Sequence, residues 1–220
     1  MTQGYDGRSL DGNFVSVLDE AIRSRIVEVH TAMPGEITAF DPATQTATVQ
    51  LCLQREVLDK TEPISELRQV PVMLNGGGGF YLTFPLEAGT PCLVVFSERG
   101  LDNWVRDAGC QPQFLRRTHH LSDAICIPGL RSPSQALSGY DTQNVTLRTE
   151  DGQSVFCMTP DGRFALSNGT EELLSIIGDL LASLIDMQAV VTSGSSAGPH
   201  AHDQIEELTD IRQRLQQLTK

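Results

Sequence analysis

Hydrophobic residues recur at helical spacing near both ends of the chain. Residues 14–29 (FVSVLDEAIRSRIVEV) carry apolar side chains at roughly helical intervals, which predicts an amphipathic helix ending before the turn at Pro34-Gly35. In residues 171–187 (EELLSIIGDLLASLIDM), apolar positions follow at intervals of four and three residues, a spacing typical of a coiled-coil seam. Residues 203–220 repeat this spacing after Asp203, which is expected to cap the last helix.

Between these helices the pattern changes to the alternation of β-strands. Residues 35–98 contain about five short runs separated by turn signals, which predict a small closed barrel, most simply an OB-fold. Residues 141–169 contain three thinner runs separated by EDG and PDG turns. A meander this small is expected to need a partner surface, because one chain cannot bury its apolar side. The apolar pairs of the three runs are Val145/Leu147, Val155/Cys157 and Phe164/Leu166.

The predicted fold is mainly β with helices. We expect the C-terminal part to form a helical coiled-coil hairpin. The predicted parts are an N-terminal helix (1–30), an OB-fold domain (31–115), a linker or loop region (116–140), a trimeric β-prism (141–170), and a helix, HxH loop and helix (171–220).

Two helical seams and a thin β segment share one property, which is apolar surface that a single chain cannot cover. Homo-oligomerisation about an axis parallel to these elements covers all of them at once. Leu and Ile at both core positions of the coiled-coil repeat favour a coiled coil of three helices over one of two. We therefore expect the β runs of three chains to wind into an intertwined β-prism or β-helix, with the helices bundled below it.

Two histidines stand one residue apart in GPHAHDQIEEL (198–208), between the two C-terminal helices. Around a three-fold axis, His200 and His202 of three chains would supply six imidazole nitrogens. Six neutral nitrogens suit an octahedral first-row cation such as Fe(II) and crowd a tetrahedral zinc site. In a turn between Pro199 and Asp203, both rings are expected to reach the axis. The alternative interpretation is a pair of solvated histidines in a polar loop.

Three segments carry a resemblance to a known family: residues 14–51 (FVSVLDEAIRSRIVEVHTAMPGEITAFDPATQTATVQL), 89–104 (GTPCLVVFSERGLDNW) and 116–130 (RRTHHLSDAICIPGL). Shorter TEDG and TPDG β repeats extend it to about residue 169. With the order of parts described above, the chain resembles the central baseplate spike proteins of contractile-tailed bacteriophages, which are membrane-piercing proteins with an N-terminal OB domain. The resemblance implies a homotrimer that attaches to the tail hub through its OB side and tapers to a point.

In that family the point is often capped by one iron ion held by an HxH motif of each chain, so the resemblance implies iron at His200 and His202. One departure concerns the position of the motif. The family's HxH lies in a β-structured apex close to the chain end, whereas here 18 residues follow His202 and a helix is predicted on each side. We expect the two helices to form a hairpin whose bend is the far tip.

The implied function is that of a structural virion protein without enzymatic activity. It would be a homotrimeric tail baseplate hub-spike that caps the tail tube and pierces the host cell envelope. Its implied partners are phage tail hub and tube proteins, with transient contact to the host outer membrane. Because the N-terminus lacks an apolar signal region, synthesis in the host cytoplasm is expected. The alternative is a non-piercing OB-fold adaptor that links the tail hub to another tail protein through its C-terminal helices.

The charge of the chain argues against a nucleic-acid partner. The formal net charge is −12, from 16 basic and 28 acidic residues, whereas neutralising phosphates needs clustered Lys and Arg. Phe80, Tyr81 and Phe84 form an aromatic cluster of the kind that stacks on bases, but the surrounding charge is acidic. The glycine run at 76–79 is not followed by GK[ST], so it is expected to join two strands rather than bind phosphate.

One group of residues remains a candidate for acid–base or metal chemistry, namely His119 and His120 near Asp123. The histidines are adjacent in sequence, no Ser or Cys nucleophile stands at a recognisable elbow, and Arg116-Arg117 lies beside them. A structural or inter-subunit role is favoured, and a metal hydrolase using these three residues is the enzymatic alternative. The five cysteines are scattered without CxxC spacing and are interpreted as small core residues.

Overall fold

The computed structural model describes residues 8–57, 60–113, 116–191, 194, 198–201 and 204–218. The chain divides into two compact units, Met1–Ser134 and Gln135–Lys220. Strands form most of the regular elements, and four α-helices lie within the described residues. None of these helices is both long and apolar enough to cross a membrane.

Nine strands are described in the first unit. Five of them form one antiparallel sheet in the order β5-β2-β1-β8-β9, and the other four form the hairpins β3-β4 and β6-β7. The strands are β1 (Ala32–Asp41), β2 (Thr46–Leu51), β3 (Gln54–Val57), β4 (Lys60–Pro63), β5 (Leu67–Pro71), β6 (Asn75–Gly77), β7 (Phe80–Leu82), β8 (Thr90–Phe96) and β9 (Ala124–Pro128).

The five-stranded sheet curls until its two outer strands approach each other. Just beyond β5, Val72 makes a parallel bridge to Cys126 of β9, and the Met73 N–H donates to the Cys126 carbonyl oxygen at 2.8 Å. Five strands in this order, with antiparallel neighbours and a parallel contact at the seam, are compatible with the predicted OB-like fold. We refer to this curled sheet as the barrel.

Alternation along the strands builds the core of the barrel. In β2, Ala47, Val49 and Leu51 are buried while the intervening residues are half-buried, as the period of two requires. Ile37 of β1 and Val94 of β8 are fully buried in the same cluster. The apolar side chains on the inner side of these strands therefore form one core.

The cysteines separate into two groups. Cys92 and Cys126 lie in the barrel core with no exposed surface, and Cys157 is buried in the second unit, as predicted for small core residues. Cys52 and Cys110 are exposed, so the prediction was wrong for these two. Both of them follow a regular element, in a bend after β2 and in a bend after the helix at 102–107, where the backbone runs on the surface.

The glycine run joins two strands, as expected. Gly76 and Gly77 belong to β6, whereas Gly78 and Gly79 form the turn with φ of 60° and 86°, a conformation that favours glycine. A side chain at Gly76 would also collide with Tyr81 of β7, with its Cβ 2.3 Å from the Tyr81 Cδ1. No helix begins at this run, so it lacks the architecture of a phosphate-binding loop.

Two helices belong to the first unit. The first, α1 (Arg8–Val27), begins earlier and ends earlier than the predicted 14–29. Beyond its end, the His30 N–H donates to the His119 carbonyl oxygen at 3.1 Å and so ties the following segment to the β8–β9 connection. That connection carries the second helix, α2 (Asp102–Asp107).

The barrel extends beyond residue 115, where the sequence patterns placed its end. Its fifth strand, β9, lies inside the segment 116–140 that was expected to be a linker. Only five residues (AICIP) form this strand, and one of them is a proline, so it gives a weak periodic signal next to a long polar loop. A single 3₁₀ turn, Pro133–Gln135, follows it.

The second unit consists of a three-stranded meander followed by helices. The meander has the antiparallel order β10-β11-β12, and a Cβ placed on Gly178 would lie 3.9 Å from Leu215 Cδ2, so the two helices are in contact. Between the helices, where the sequence predicts the HxH loop, two short strands pair as a hairpin. The elements are β10 (Val145–Arg148), β11 (Val155–Met158), β12 (Phe164–Ser167), α3 (Leu173–Asp186), β13 (Gln188–Val191), β14 (Gly198–Ala201) and α4 (Ile205–Leu218).

The two turns of the meander repeat one hydrogen-bonded motif. In TEDG, the Thr149 hydroxyl donates to Asp151 Oδ1 at 2.6 Å, and in TPDG the Thr159 hydroxyl donates to Asp161 Oδ1 at 2.5 Å. The glycine that ends each motif has a positive φ, 72° at Gly152 and 82° at Gly162. Because both turns are closed by the same local contacts, the EDG and PDG sequences determine the register of all three strands.

Candidate self-association surface

One face of the meander consists only of large apolar side chains. Residues directly opposite each other on neighbouring antiparallel strands point to the same face, and the register pairs every member of this set with another member. We call this set the meander face; it consists of Val145, Leu147, Phe156, Met158, Phe164 and Leu166.

This face is uncovered in the single chain. Its six side chains are between 36% and 65% exposed, and the rings of Phe156 and Phe164 stack on it with centroids 6.4 Å apart. On the opposite face Cys157 is only 2% exposed, and the other residues of the three strands are half-buried. Fully burying an aliphatic or aromatic side chain contributes roughly 1.5–3 kcal/mol, so covering six half-exposed ones would strongly favour association.

The sequence patterns placed the wrong residues of β11 on this face. They paired Val155 with Cys157 as the apolar positions, whereas Phe156 and Met158 share the face with the apolar residues of β10 and β12. All four residues of β11 (VFCM) are apolar, so alternation cannot determine which pair faces outward. The lengths of the EDG and PDG turns determine it, and they would have been the better signal.

The helix that follows the meander also presents apolar side chains to solvent. In α3, Leu181 is buried, but Leu173, Ile176 and Leu180 are 46–58% exposed. These positions belong to the apolar pattern of residues 171–187 that predicts the coiled-coil seam. Covering them requires a surface beyond the described part of this chain.

The Glu172 carboxylate connects α3 to the meander. Glu172 accepts a hydrogen bond at Oε1 from the Leu166 N–H of β12 (3.1 Å) and at Oε2 from the Ser175 N–H in the first turn of α3 (2.6 Å). Partial burial acts to raise the pKa of Glu172, but hydrogen bonds from these backbone groups and Leu174 outweigh it, so the pKa is lowered. The Glu172 side chain therefore links the strand and the helix that carry these exposed apolar residues.

The N-terminal helix has a similar character. Phe14, Leu18, Ile22 and Ile26 recur at intervals of four residues in α1, and all of them are 48–69% exposed. A continuous apolar stripe of this kind is expected on a helix that packs against another surface. Both units thus carry apolar surface of the kind found at protein–protein interfaces.

The two predicted metal ligands fall largely outside the described structure. The backbone of His200 is described, in β14, where it pairs with Ala189 of β13. His200 therefore lies in a strand rather than in the expected turn. Its side chain and the whole of His202 lie outside the described residues. Among the residues that are described, no three His, Cys, Asp or Glu side chains come together to hold a metal ion.

Near His119 and His120, the buried Asp123 joins neighbouring segments of the barrel through hydrogen bonds. Asp123 is 1% exposed, and its carboxylate accepts from the Arg117 guanidinium and from the Leu101 N–H at 2.9 Å. Its backbone accepts from Ser97 N–H at 2.8 Å, which connects the end of β8 to the start of β9. The Asp123 carboxylate is thus engaged with Arg117 rather than directed towards a histidine, and the favoured structural role agrees with this geometry.

His120 is occupied locally, because its Nδ1 accepts from the Ser122 N–H at 3.1 Å. His119 has a φ of 51°, and its Nδ1 is buried without a hydrogen-bond partner among the described residues. Close by, partial burial and, secondarily, the positive charge of His120 lower the pKa of His30. These contacts hold the β8–β9 connection against the segment after α1.

Residues 33–129 match the model of a protein family described as the phage protein Gp138 N-terminal domain. The matched region spans the barrel from β1 to the residue after β9 and covers less than half of the chain. No curated protein matches the sequence. The similarity of the barrel to this phage domain supports a phage structural protein, and therefore a component of the virion.

Proposed function

We propose that the chain is a homotrimeric tail baseplate hub-spike, a non-enzymatic virion protein that caps the tail tube and pierces the host cell envelope. The observation that carries the proposal is the meander face, six apolar side chains aligned in register and exposed in the single chain. The phage-domain match over the barrel supports the assignment to a phage particle. The barrel would dock on tail hub and tube proteins.

Three copies explain the meander better than a covering domain of the same chain. A three-stranded sheet with one apolar face is stable only when another surface covers that face. Identical copies around a three-fold axis cover each other's faces, and they leave no apolar edge for further growth because the symmetry is closed. A spike made in this way resists axial load, since no chain leaves without losing contacts to the other two.

The proposal includes one iron ion per trimer, held by His200 and His202 of each chain. The support is chemical, since six imidazole nitrogens on an axis suit an octahedral Fe(II). The β13–β14 hairpin carries His200 between α3 and α4. Elemental analysis of the tag-free protein should find about one iron per three chains, and a His200→Ala/His202→Ala variant should lose the metal while keeping its oligomeric state.

The decisive experiment measures the number of chains per particle by sedimentation and mass photometry. The wild-type chain should give three chains, and Phe156→Asp in the meander face should give single chains with unchanged far-UV circular dichroism. Leu130→Asp is the matched control, because Leu130 is as exposed as Phe156 (45% against 46%) but lies outside the meander. It should remain trimeric.

A wild-type chain that stays single at the concentrations of these measurements would overturn the trimer. That result, with metal absent, would favour an OB-fold adaptor whose C-terminal helices bind another tail protein. The enzymatic alternative, a metal hydrolase using His119, His120 and Asp123, predicts that His120→Ala loses an activity while oligomerisation and folding stay unchanged.

A further inference from the structure

A cavity of about 680 Å³ opens on the outer side of the barrel. It lies over β1, β2 and β5, and Val105 of α2 also contributes to its wall. In OB-folds this part of the surface, together with the loop between the first two strands and the loop between the last two, is where oligonucleotides and oligosaccharides bind. The volume falls in the usual range of ligand pockets, roughly 300–1,000 Å³.

Two irregularities of the sheet meet beneath this cavity, and both face Thr48. The β1–β2 register shifts between Ile37 and Ala39, and the β2–β5 register passes from Ala47↔Val70 to Val49↔Leu67. Thr48 is therefore opposite two residues of β5, Arg68 and Gln69. A β-bulge of this kind re-aims a side chain and is frequent next to binding sites. Here it exposes both residues in succession, where a regular strand would bury one.

The two re-aimed side chains are free to bind a ligand. Among the described residues, neither the Arg68 guanidinium nor the Gln69 amide has a hydrogen-bond or ion-pair partner. Gln69 also has a φ of 55°, a left-handed conformation that strains a residue with a Cβ. Strain of this type is retained mainly where function requires it.

Hydroxyl groups and a carboxylate also line the cavity. Asp41 accepts from the Thr44 hydroxyl at 2.8 Å and from the Ala43 N–H at 2.9 Å, and the hydrogen bond from Thr44 is the main cause of its lowered pKa. The Thr44 and Thr46 hydroxyls lie 2.9 Å apart. These two hydrogen bonds hold the Asp41 carboxylate in place, and a carboxylate has further acceptor capacity for hydroxyl donors.

We propose that this cavity binds a short acidic oligosaccharide. The Arg68 guanidinium pairs with a sugar carboxylate in the bidentate geometry that suits this group. The Gln69 amide and the threonine hydroxyls bind the sugar hydroxyl groups, and Phe40 offers an apolar surface to a sugar ring. All residues that line the cavity belong to the barrel unit of one chain.

Two other ligand classes fit the cavity less well. A nucleic acid needs several cations along its backbone, whereas the residues that line the cavity include one cation, Arg68, and one carboxylate, Asp41. A peptide added as an extra strand needs a free sheet edge, whereas β2 is paired with β1 on one side and with β5 on the other. An acidic saccharide uses both the single cation and the many hydroxyl-binding groups.

The test titrates the full chain with tetragalacturonic acid as the acidic probe, maltotetraose as the neutral probe and an oligothymidylate as the nucleic-acid probe. Calorimetry and ligand-detected NMR should show binding of the acidic saccharide only. Arg68→Ala should weaken this binding about tenfold or more, and Arg68→Lys should restore part of it. Arg55→Ala is the matched control, because Arg55 is exposed on β3 and does not line the cavity, and this variant should bind as the wild type does.

Equal binding of the neutral and acidic saccharides, or binding of the oligothymidylate in place of the saccharide, would overturn the proposal. So would the failure of the acidic saccharide to bind to a chain whose barrel is folded by circular dichroism. Because oligomeric state is measured separately, loss of the trimer with saccharide binding intact would count against the proposed function alone.

Discussion

Arg117 donates to both carboxylate oxygens of the buried Asp123, at 3.0 and 2.8 Å. The same guanidinium also donates to Asp102 at the start of α2, at 2.7 Å. One cation thus joins the β8–β9 connection, the start of β9 and the short helix α2. Since α2 contributes Val105 to the cavity on the barrel, this ion pair also supports that surface.

Replacing Arg117 by alanine should destabilise the barrel by about 3 kcal/mol, because it leaves the buried Asp123 carboxylate without its ionic partner. The measurement is the free energy of unfolding from denaturant titration. Arg116→Ala is the matched control, since Arg116 is the exposed neighbour, and it should change stability by less than about 0.5 kcal/mol. Equal stabilities for the two variants would show that the ion pair contributes nothing.

The Arg117–Asp123 pair also predicts how the barrel responds to acid. Burial acts to raise the pKa of Asp123, but hydrogen bonds from Arg117 and the Leu101 N–H and the charge of Arg117 outweigh it, so the folded pKa is below its usual value of 3.8. A lowered carboxyl pKa contributes stability that is present above the unfolded pKa and is lost as the pH falls through the folded pKa. The barrel should therefore lose stability below about pH 4.

The measurement is the free energy of unfolding as a function of pH, from neutral to about pH 2. An Asp123→Asn variant should be less stable at neutral pH and should show a smaller decline in this acid range. A variant with the same pH dependence as the wild type would assign the acid sensitivity to other carboxylates.

Much of the barrel is predictable because its strands alternate cleanly. The TATVQL run of β2 alternates buried and half-buried residues along its whole length, as its sequence indicates. The seam residues of α3 and α4 likewise predict two helices close to the observed bounds. In these elements the periodic pattern of apolar residues extends over the whole element, so it identifies the element clearly.

Other features depend on contacts between distant residues. The sequence does not predict β9 because this strand is short and is defined by its pairing with β8 and by the bridge from Val72. The sequence singles out His119 and His120 as neighbours of Asp123. The ionic partner of Asp123 is Arg117, and this pairing is recognisable only in the folded loop. The cavity on the barrel arises from a bulge at Arg68 and Gln69, and no periodicity in the sequence marks it.

The Glu172 contact gives a prediction for the second unit. Glu172→Ala should destabilise the connection between α3 and β12 by about 1 kcal/mol, because the Ser175 N–H loses its capping acceptor and the Leu166 N–H loses its partner. Amide hydrogen exchange should show faster exchange at both residues. Glu171→Ala serves as the control, since Glu171 is connected to Asn168 through its backbone, and this variant should leave the exchange rates at Ser175 and Leu166 unchanged.

Gln69 offers a test of whether backbone strain in the barrel serves binding. Its φ of 55° is accessible to glycine without steric penalty, so Gln69→Gly should relieve about 1 kcal/mol of strain, partly offset by the greater freedom of glycine in the unfolded chain. We expect a free energy of unfolding equal to or slightly above that of the wild type. Binding of tetragalacturonic acid should weaken in the same variant, because the side-chain amide is gone.

Gln45 provides the matched control, since its φ is also 55° but it occupies the turn before β2 and does not line the cavity. Gln45→Gly should have the same effect on stability and none on saccharide binding. A Gln69→Gly chain that is less stable than the wild type would mean that the amide contributes to folding. In that case the strained backbone at the bulge is retained for stability and gives no support to a ligand site.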